Sequence, residues 1–297
     1  MRKFAAAGAM SVALLAASPA MAVCAATISA SPATLNYDPI KAVAATTTTF
    51  TVTISKGANS DDAFRLIFTD SATGTLRIGA AGPQYSITNA NNQTVSFQSG
   101  TTAAGQPGIT AIALGTGNVT TSATFTVSLP VNTTTDFVGG NSFTENLGYS
   151  LQCLKNNVVQ TSATGSLTSL NSTITNVLSV VTASPQTLDF GNFTSATQTL
   201  QVGLKSTNSI NVAVSTLNSS TMVLAGATPP YNTSNSIPYS MTFNGSTLSS
   251  SGTNNVARAT VAGSTYPFVM SLTGGVPSGK LAGVYADVIT LTFTPGI

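Results

Sequence analysis

The phrase ASPATLNY at residues 30–37 returns as ASPQTLDF at residues 183–190. Ala30/Ala183, Ser31/Ser184, Pro32/Pro185, Thr34/Thr187 and Leu35/Leu188 are identical, and Asn36/Asp189 and Tyr37/Phe190 are close pairs. A second correspondence lies near the end of each half: Phe143-x-Glu145-x-Leu147 matches Tyr285-x-Asp287-x-Ile289, each downstream of a glycine. Opening and closing phrases in the same order indicate one unit written twice. The expected division is a leader at 1–22, a first domain at 23–175 and a second at 176–297. The join is expected somewhere in SLTSLNSTITN (166–176).

Each unit is expected to be all-β. Apolar and polar residues alternate in Phe50–Ile54, Phe64–Phe68, Ala123–Leu129, Leu200–Leu204 and Ile210–Val214, each run bounded by Gly, Pro, Asn or Ser. Successive side chains of a strand point to opposite faces, so period two marks half-buried strands. No convincing stripe of period 3.6 follows the leader. The fold class is therefore two antiparallel β-sandwiches.

The leader has Arg2 and Lys3, an apolar run from Phe4 to about Ala17, and Ala20-Met21-Ala22. This is the pattern of a secretory signal peptide cleaved after Ala22. The run is too short for the alternative, a membrane anchor. Only 6% of the chain is charged, and without Arg2 and Lys3 the 10 basic residues fall to 8, matching the 8 acidic ones. A neutral exported chain offers no basic patch to nucleic acid or anionic lipid. The two cysteines, Cys24 and Cys153, are expected to pair in an oxidising compartment, with two free thiols as the alternative.

The chain has no His, which removes Ser-His-Asp and Cys-His machinery and the commonest zinc ligand sets. Its carboxylates are scattered. The one adjacent pair, Asp61-Asp62, follows Gly57-Ala58-Asn59-Ser60 and reads as a solvated turn rather than as the carboxylates of a hydrolase. No phosphate-binding or calcium loop is present. The expectation is a protein that is not an enzyme and needs no cofactor or metal.

The two copies differ at their ends. After Glu145 the first continues through Tyr149, Leu151 and Cys153, turns at Asn156-Asn157, and has a possible further strand from Val158 to Leu167. The second stops in the equivalent strand, Val288–Ile297. A sandwich lacking its final strand exposes a groove and an unpaired edge.

LDFGNF (188–193) and AGVYADVITLTF (282–293) resemble the spore coat protein U domain, a family that includes the pilins of archaic, Csu-type chaperone–usher pili. Gly283, Tyr285, Asp287, Ile289, Leu291 and Phe293 match its C-terminal signature, and LNYDP (35–39) stands for the first motif in domain one. The second domain departs from the pattern in having no cysteine. The resemblance implies incomplete immunoglobulin-like sandwiches, each completed by the N-terminal strand of a neighbouring pilin or transiently by a periplasmic chaperone, and assembled at an outer-membrane usher. Cleavage after Ala22 would leave only Val23 ahead of Cys24, so the chain is expected to accept a strand and not to give one. Such a subunit sits at the fibre tip, and the two-domain plan resembles a tip adhesin. The implied function is attachment to abiotic or cell surfaces and biofilm formation, after export through the periplasm to the cell surface. One alternative is that Val23–Ser29 serves as a donor strand. Another is a self-complete secreted coat or carbohydrate-binding β-protein.

The resemblance further implies attachment through apolar loops of domain one. Candidates are Gly79–Tyr85, Ala103–Gly117 and Asp136–Gly140. Ile109, Ile112 and Leu114 lie among glycines, and Phe137 and Val138 precede Gly139-Gly140. Exposed together they would form an adhesive patch; the alternative is that they are core residues between turns.

Overall fold

Thr46–Ser55 reads TTTTFTVTIS, and its Phe50, Val52 and Ile54 are buried while threonines occupy the other face. That segment is one of the strands of a computed structural model describing residues 24–56, 61–70, 76–92, 94–95, 97–98, 112–113, 120–131, 135–249 and 252–296. The leader lies outside the described residues. The first half contains β1 (Ala25–Ala30), β2 (Leu35–Tyr37), β3 (Thr46–Ser55), β4 (Ala63–Asp70), β5 (Ser86–Asn89), β6 (Phe97–Gln98), β7 (Ile112–Ala113), β8 (Thr120–Leu129), β9 (Ser142–Lys155) and β10 (Val158–Ile174). The second contains β11 (Leu178–Val180), β12 (Thr197–Ser206), β13 (Ile210–Thr216), β14 (Thr221–Leu224), β15 (Ser236–Phe243), β16 (Ser246–Thr247), β17 (Thr253–Val256), β18 (Ser264–Leu272), β19 (Tyr285–Ala286) and β20 (Ile289–Pro295). Among the described residues there is no helix.

Among the described residues, every strand pairing stays within one half. In the first, a sheet ordered β1-β3-β8-β5 packs on one ordered β2-β10-β9-β4-β6. Phe50, Phe68 and Phe125 fill the space between them, with ring centroids 5.0–5.6 Å apart. Outside, Thr51 bonds Thr124 and Thr53 bonds Ser122 across β3 and β8, both at 3.1 Å. In the second half a sheet ordered β11-β12-β18-β15-β14-β19 packs on one ordered β17-β13-β20, around a separate core that includes Leu204, Ile210, Val212 and Phe243. Pairing is antiparallel except for β2 with β10 and β4 with β6. The connection between halves is shorter than expected. β10 runs on to Ile174 because Ser172, Thr173 and Ile174 pair with Leu35, Asn36 and Tyr37, leaving only residues 175–177 before β11.

Six strands of the two sandwiches correspond: β1, β3, β8 and β5 with β11, β12, β18 and β15, and β9 and β4 with β20 and β13. Among the described residues, β2 and β10 of the first have no counterpart in the second. The first copy of the repeated phrase supplies β2, which pairs in parallel with β10, and β10 pairs antiparallel with β9. In the second copy Leu188–Phe190 forms no strand, and β20 is bonded to β13 along one edge only among the described residues.

The cysteines form a disulfide across the sandwich. Cys24 precedes β1 of one sheet and Cys153 lies on β9 of the other, 129 residues away. The segment that could have been a donor is thereby engaged in its own domain, with Ala25–Ala30 paired to Thr51–Ser55 of β3.

Candidate strand-accepting groove

Ile289, Leu291 and Phe293 alternate along β20 on one face, and all three are half-buried where their counterparts Leu147, Tyr149 and Leu151 are buried. Opposite them the chain from Val180 to Asp189 crosses the end of the sandwich. Between these walls lies a cavity of about 710 Å³, floored by Leu200, Val202, Met222, Phe268 and Met270. Val284 at its rim is 70% exposed. Apolar side chains that face a sandwich interior yet touch solvent, beside a strand edge with unpaired N–H and C=O groups, are a template for one more strand.

Residues 283–293 build one side of this groove. Gly283 has φ +146°, a backbone conformation that residues with a side chain rarely adopt, and its position faces Leu224 Cδ1. The Tyr285 ring packs edge-on to Phe193 at 6.1 Å, and its hydroxyl lies 2.9 Å from the carbonyls of Ser234 and Leu281. Asp287 Oδ1 accepts from the Asn218 and Val288 amides at 3.0 and 2.8 Å, and Oδ2 from the Tyr239 hydroxyl at 2.6 Å. Burial, reinforced by that carboxylate, pushes the Tyr239 hydroxyl well above its usual pKa. Gly283, Tyr285 and Asp287 thus hold the end of the groove, while Ile289, Leu291 and Phe293 face into it.

Of the residues expected to form an attachment patch, only Phe137 and Val138 have described side chains. Phe137 is a correction: it is only 4% exposed, packed edge-on against Tyr37 at 5.8 Å and near Phe143 at 6.4 Å. Its segment joins the first sandwich to the second. Asp136 makes a bidentate ion pair with Arg258, both contacts 2.6 Å, and accepts from the Val261 amide at 3.0 Å. The Gly139 amide donates to the Thr207 carbonyl at 2.8 Å. Val138 is exposed and lies beside this junction. Ile112 belongs to β7, paired with Phe64 of β4, and Ile109 and Leu114 lie outside the described residues. Asp61 is also a correction, since it is buried rather than solvated; Asp62 instead caps the β9–β10 turn, accepting from the Asn156 amide at 2.9 Å.

Sequence reasoning passed over the exposed apolar residues at the other end. β9 starts beside the junction and runs ~45 Å before the Asn156-Asn157 turn, counting about 3.3 Å for each of its 14 residues. Both asparagines have positive φ, as a two-residue hairpin requires. Val158 and Val159 follow, 61% and 43% exposed. The Asn-Asn pair was the available signal for a hairpin tip.

The Arg258 guanidinium holds the Asp136 carboxyl below its usual pKa. A depressed carboxylate pKa contributes stability above the unfolded value and loses it as pH falls through the folded one. Both side chains are part-exposed, so the pair is worth about 0.2–1 kcal/mol. Asp136→Ala is therefore expected to speed hydrogen exchange at the Val261 and Gly139 amides at neutral pH while barely moving global stability. Wild type should show the same loosening only below about pH 4. Unchanged exchange in the variant would mean the junction does not depend on this pair.

No family model matches the chain, and no curated protein does. Among solved structures, one similar chain comes from the CsuC–CsuE chaperone–tip adhesion subunit pre-assembly complex of archaic chaperone-usher Csu pili of Acinetobacter baumannii. The two are 14% identical with a TM-score of 0.42, covering 91% of this chain and 99% of that one. The CupB6 tip adhesin of Pseudomonas aeruginosa is 10% identical with a TM-score of 0.38, covering 92% and 94%. CfaE, the adhesive subunit of CFA/I fimbria of enterotoxigenic Escherichia coli, is 12% identical with a TM-score of 0.35, covering 78% and 81%.

Proposed function

We propose that this chain is an exported adhesive subunit at the tip of a chaperone–usher pilus, and that its second domain is completed by a strand from the adjacent pilin. One observation carries the reading: the same sandwich is filled by β10 in the first copy and open at that position in the second. The engagement of β1 with β3 and the Cys24–Cys153 bond support a subunit that accepts a strand while keeping its own. The resemblance of residues 282–293 to the spore coat protein U signature points the same way. A periplasmic chaperone would occupy the groove before the outer-membrane usher exchanges it for the pilin strand. Attachment to abiotic or cell surfaces, and with it biofilm formation, would belong to the end of domain one away from the junction, where Val158 and Val159 are exposed.

The test is periplasmic expression with and without the partner chaperone, followed by limited proteolysis. Domain two should be cut alone and protected with the chaperone, while domain one survives either way. Resistance of both domains unaided would sink the proposal in favour of a self-complete secreted β-protein. For attachment, Val158→Ser with Val159→Ser should lower binding to a hydrophobic surface several-fold at unchanged melting temperature, since exposed substitutions cost at most about 0.5 kcal/mol. Undiminished binding would move the attachment site elsewhere.

A further inference from the structure

Residues 175–177 join the two sandwiches, and their backbone is not free to turn. The Thr175 amide donates to the Tyr37 carbonyl at 3.0 Å, and the Thr175 carbonyl accepts from the Thr207 hydroxyl at 2.8 Å. The Val177 amide donates to that hydroxyl oxygen at 2.9 Å, and the Val177 carbonyl accepts from the Thr207 amide at 3.0 Å. Thr207 lies in the turn between β12 and β13 and is fully buried. Its carbonyl accepts from the Gly139 amide at 2.8 Å. Thr207 thus uses its amide, carbonyl and hydroxyl to grip two segments that arrive from the first sandwich.

A second attachment lies earlier on the Gly139 segment. Asp136 holds Arg258 and the Val261 amide, both in the loop between β17 and β18, and Arg258 Nη1 also reaches the Phe137 carbonyl at 3.4 Å. Among the described residues the buried apolar side chains form two separate clusters, one in each sandwich. Hydrogen bonds rather than a shared core therefore set the angle between the halves. Domains without a large apolar interface move relative to one another unless something stops them. One attachment leaves a swivel, and a second on a different loop removes it. The two attachments are unequally protected. Water reaches the part-exposed Asp136–Arg258 pair and competes for it, whereas opening the Thr207 bonds leaves buried polar groups unpaired.

We propose that these contacts form a two-point clamp that makes the two sandwiches one rigid body. Thr207 is its positioning residue, and Asp136–Arg258 is the latch that opens first. With the latch closed, a pull on the far end of domain one reaches domain two without bending at residues 175–177. With the latch open, the halves swivel about Thr207. The clamp holds whatever the two ends of the molecule bind.

The experiment measures residual dipolar couplings of backbone amides in the full exported chain, weakly aligned in solution. A single alignment tensor is expected to fit both halves. Arg258→Gln should abolish that common fit while each half still fits a tensor of its own. Thr207→Val should abolish it too, because the Thr175 carbonyl and the Val177 amide lose their partner. Thr207→Ser, which keeps the hydroxyl, should restore it. Separate tensors for the halves of the wild-type chain overturn the clamp. A common tensor kept in Arg258→Gln overturns the latch. A common tensor kept in Thr207→Val, or lost equally in Thr207→Ser, overturns the role of the Thr207 hydroxyl. Arg258→Gln alters only a part-exposed side chain, so its result decides the matter even where Thr207→Val fails to fold.

Discussion

Appending a copy of Asn156–Ile174 directly after Ile297 is expected to raise the melting temperature of the second domain by more than about 10 °C. The alignment places Ile297 where Lys155 ends β9, so the appended Asn-Asn turn recreates the hairpin that delivers β10 in domain one. Four or five inward side chains buried in the groove contribute roughly 8–12 kcal/mol before ordering costs. Fixing the strand removes much of this. A net gain of a few kcal/mol still corresponds to more than ten degrees in a domain of this size, at about 4–8 °C for each kcal/mol. Calorimetry would show two transitions moving closer together, and protease sites in residues 178–296 should become resistant. An unmoved second transition would mean the groove is not a strand site.

Replacing Cys24 and Cys153 together by alanine is expected to cost domain one about 5 kcal/mol. Closing a loop of 129 residues removes that much chain entropy from the unfolded state. The position of the bond adds a local effect, because it ties the start of β1 in one sheet to β9 in the other. Urea unfolding should show a large drop in the first domain's midpoint and leave the response of the second domain to a donor strand intact. A midpoint unchanged by the double substitution would show that the sheets are held together without the bond.

Much of this architecture was legible before any coordinates. The alternation in Phe50–Ile54 named the buried face of β3, and the repeated phrase located β2 and its counterpart at Leu188–Phe190. The candidate attachment residues fared differently. Phe137 before Gly139-Gly140 and Val159 after Asn156-Asn157 look alike in sequence, each an apolar residue beside a turn. One is sealed by Tyr37, Phe143 and the junction with the second sandwich, and the other faces solvent ~45 Å away at about 3.3 Å per residue of β9.

The sequence by itself determined the class of the fold, the faces of its half-buried strands and the phrases that recur in each half. Those properties are local or compositional: period two follows from the geometry of a single strand, and a repeat is visible without folding. Only the tertiary structure decided which apolar residues are covered, how Cys24 reaches Cys153, where the halves join and how wide the groove stands. A strand specifies which of its side chains share a face, but what covers that face comes from segments more than a hundred residues away, and burial is settled only when they meet.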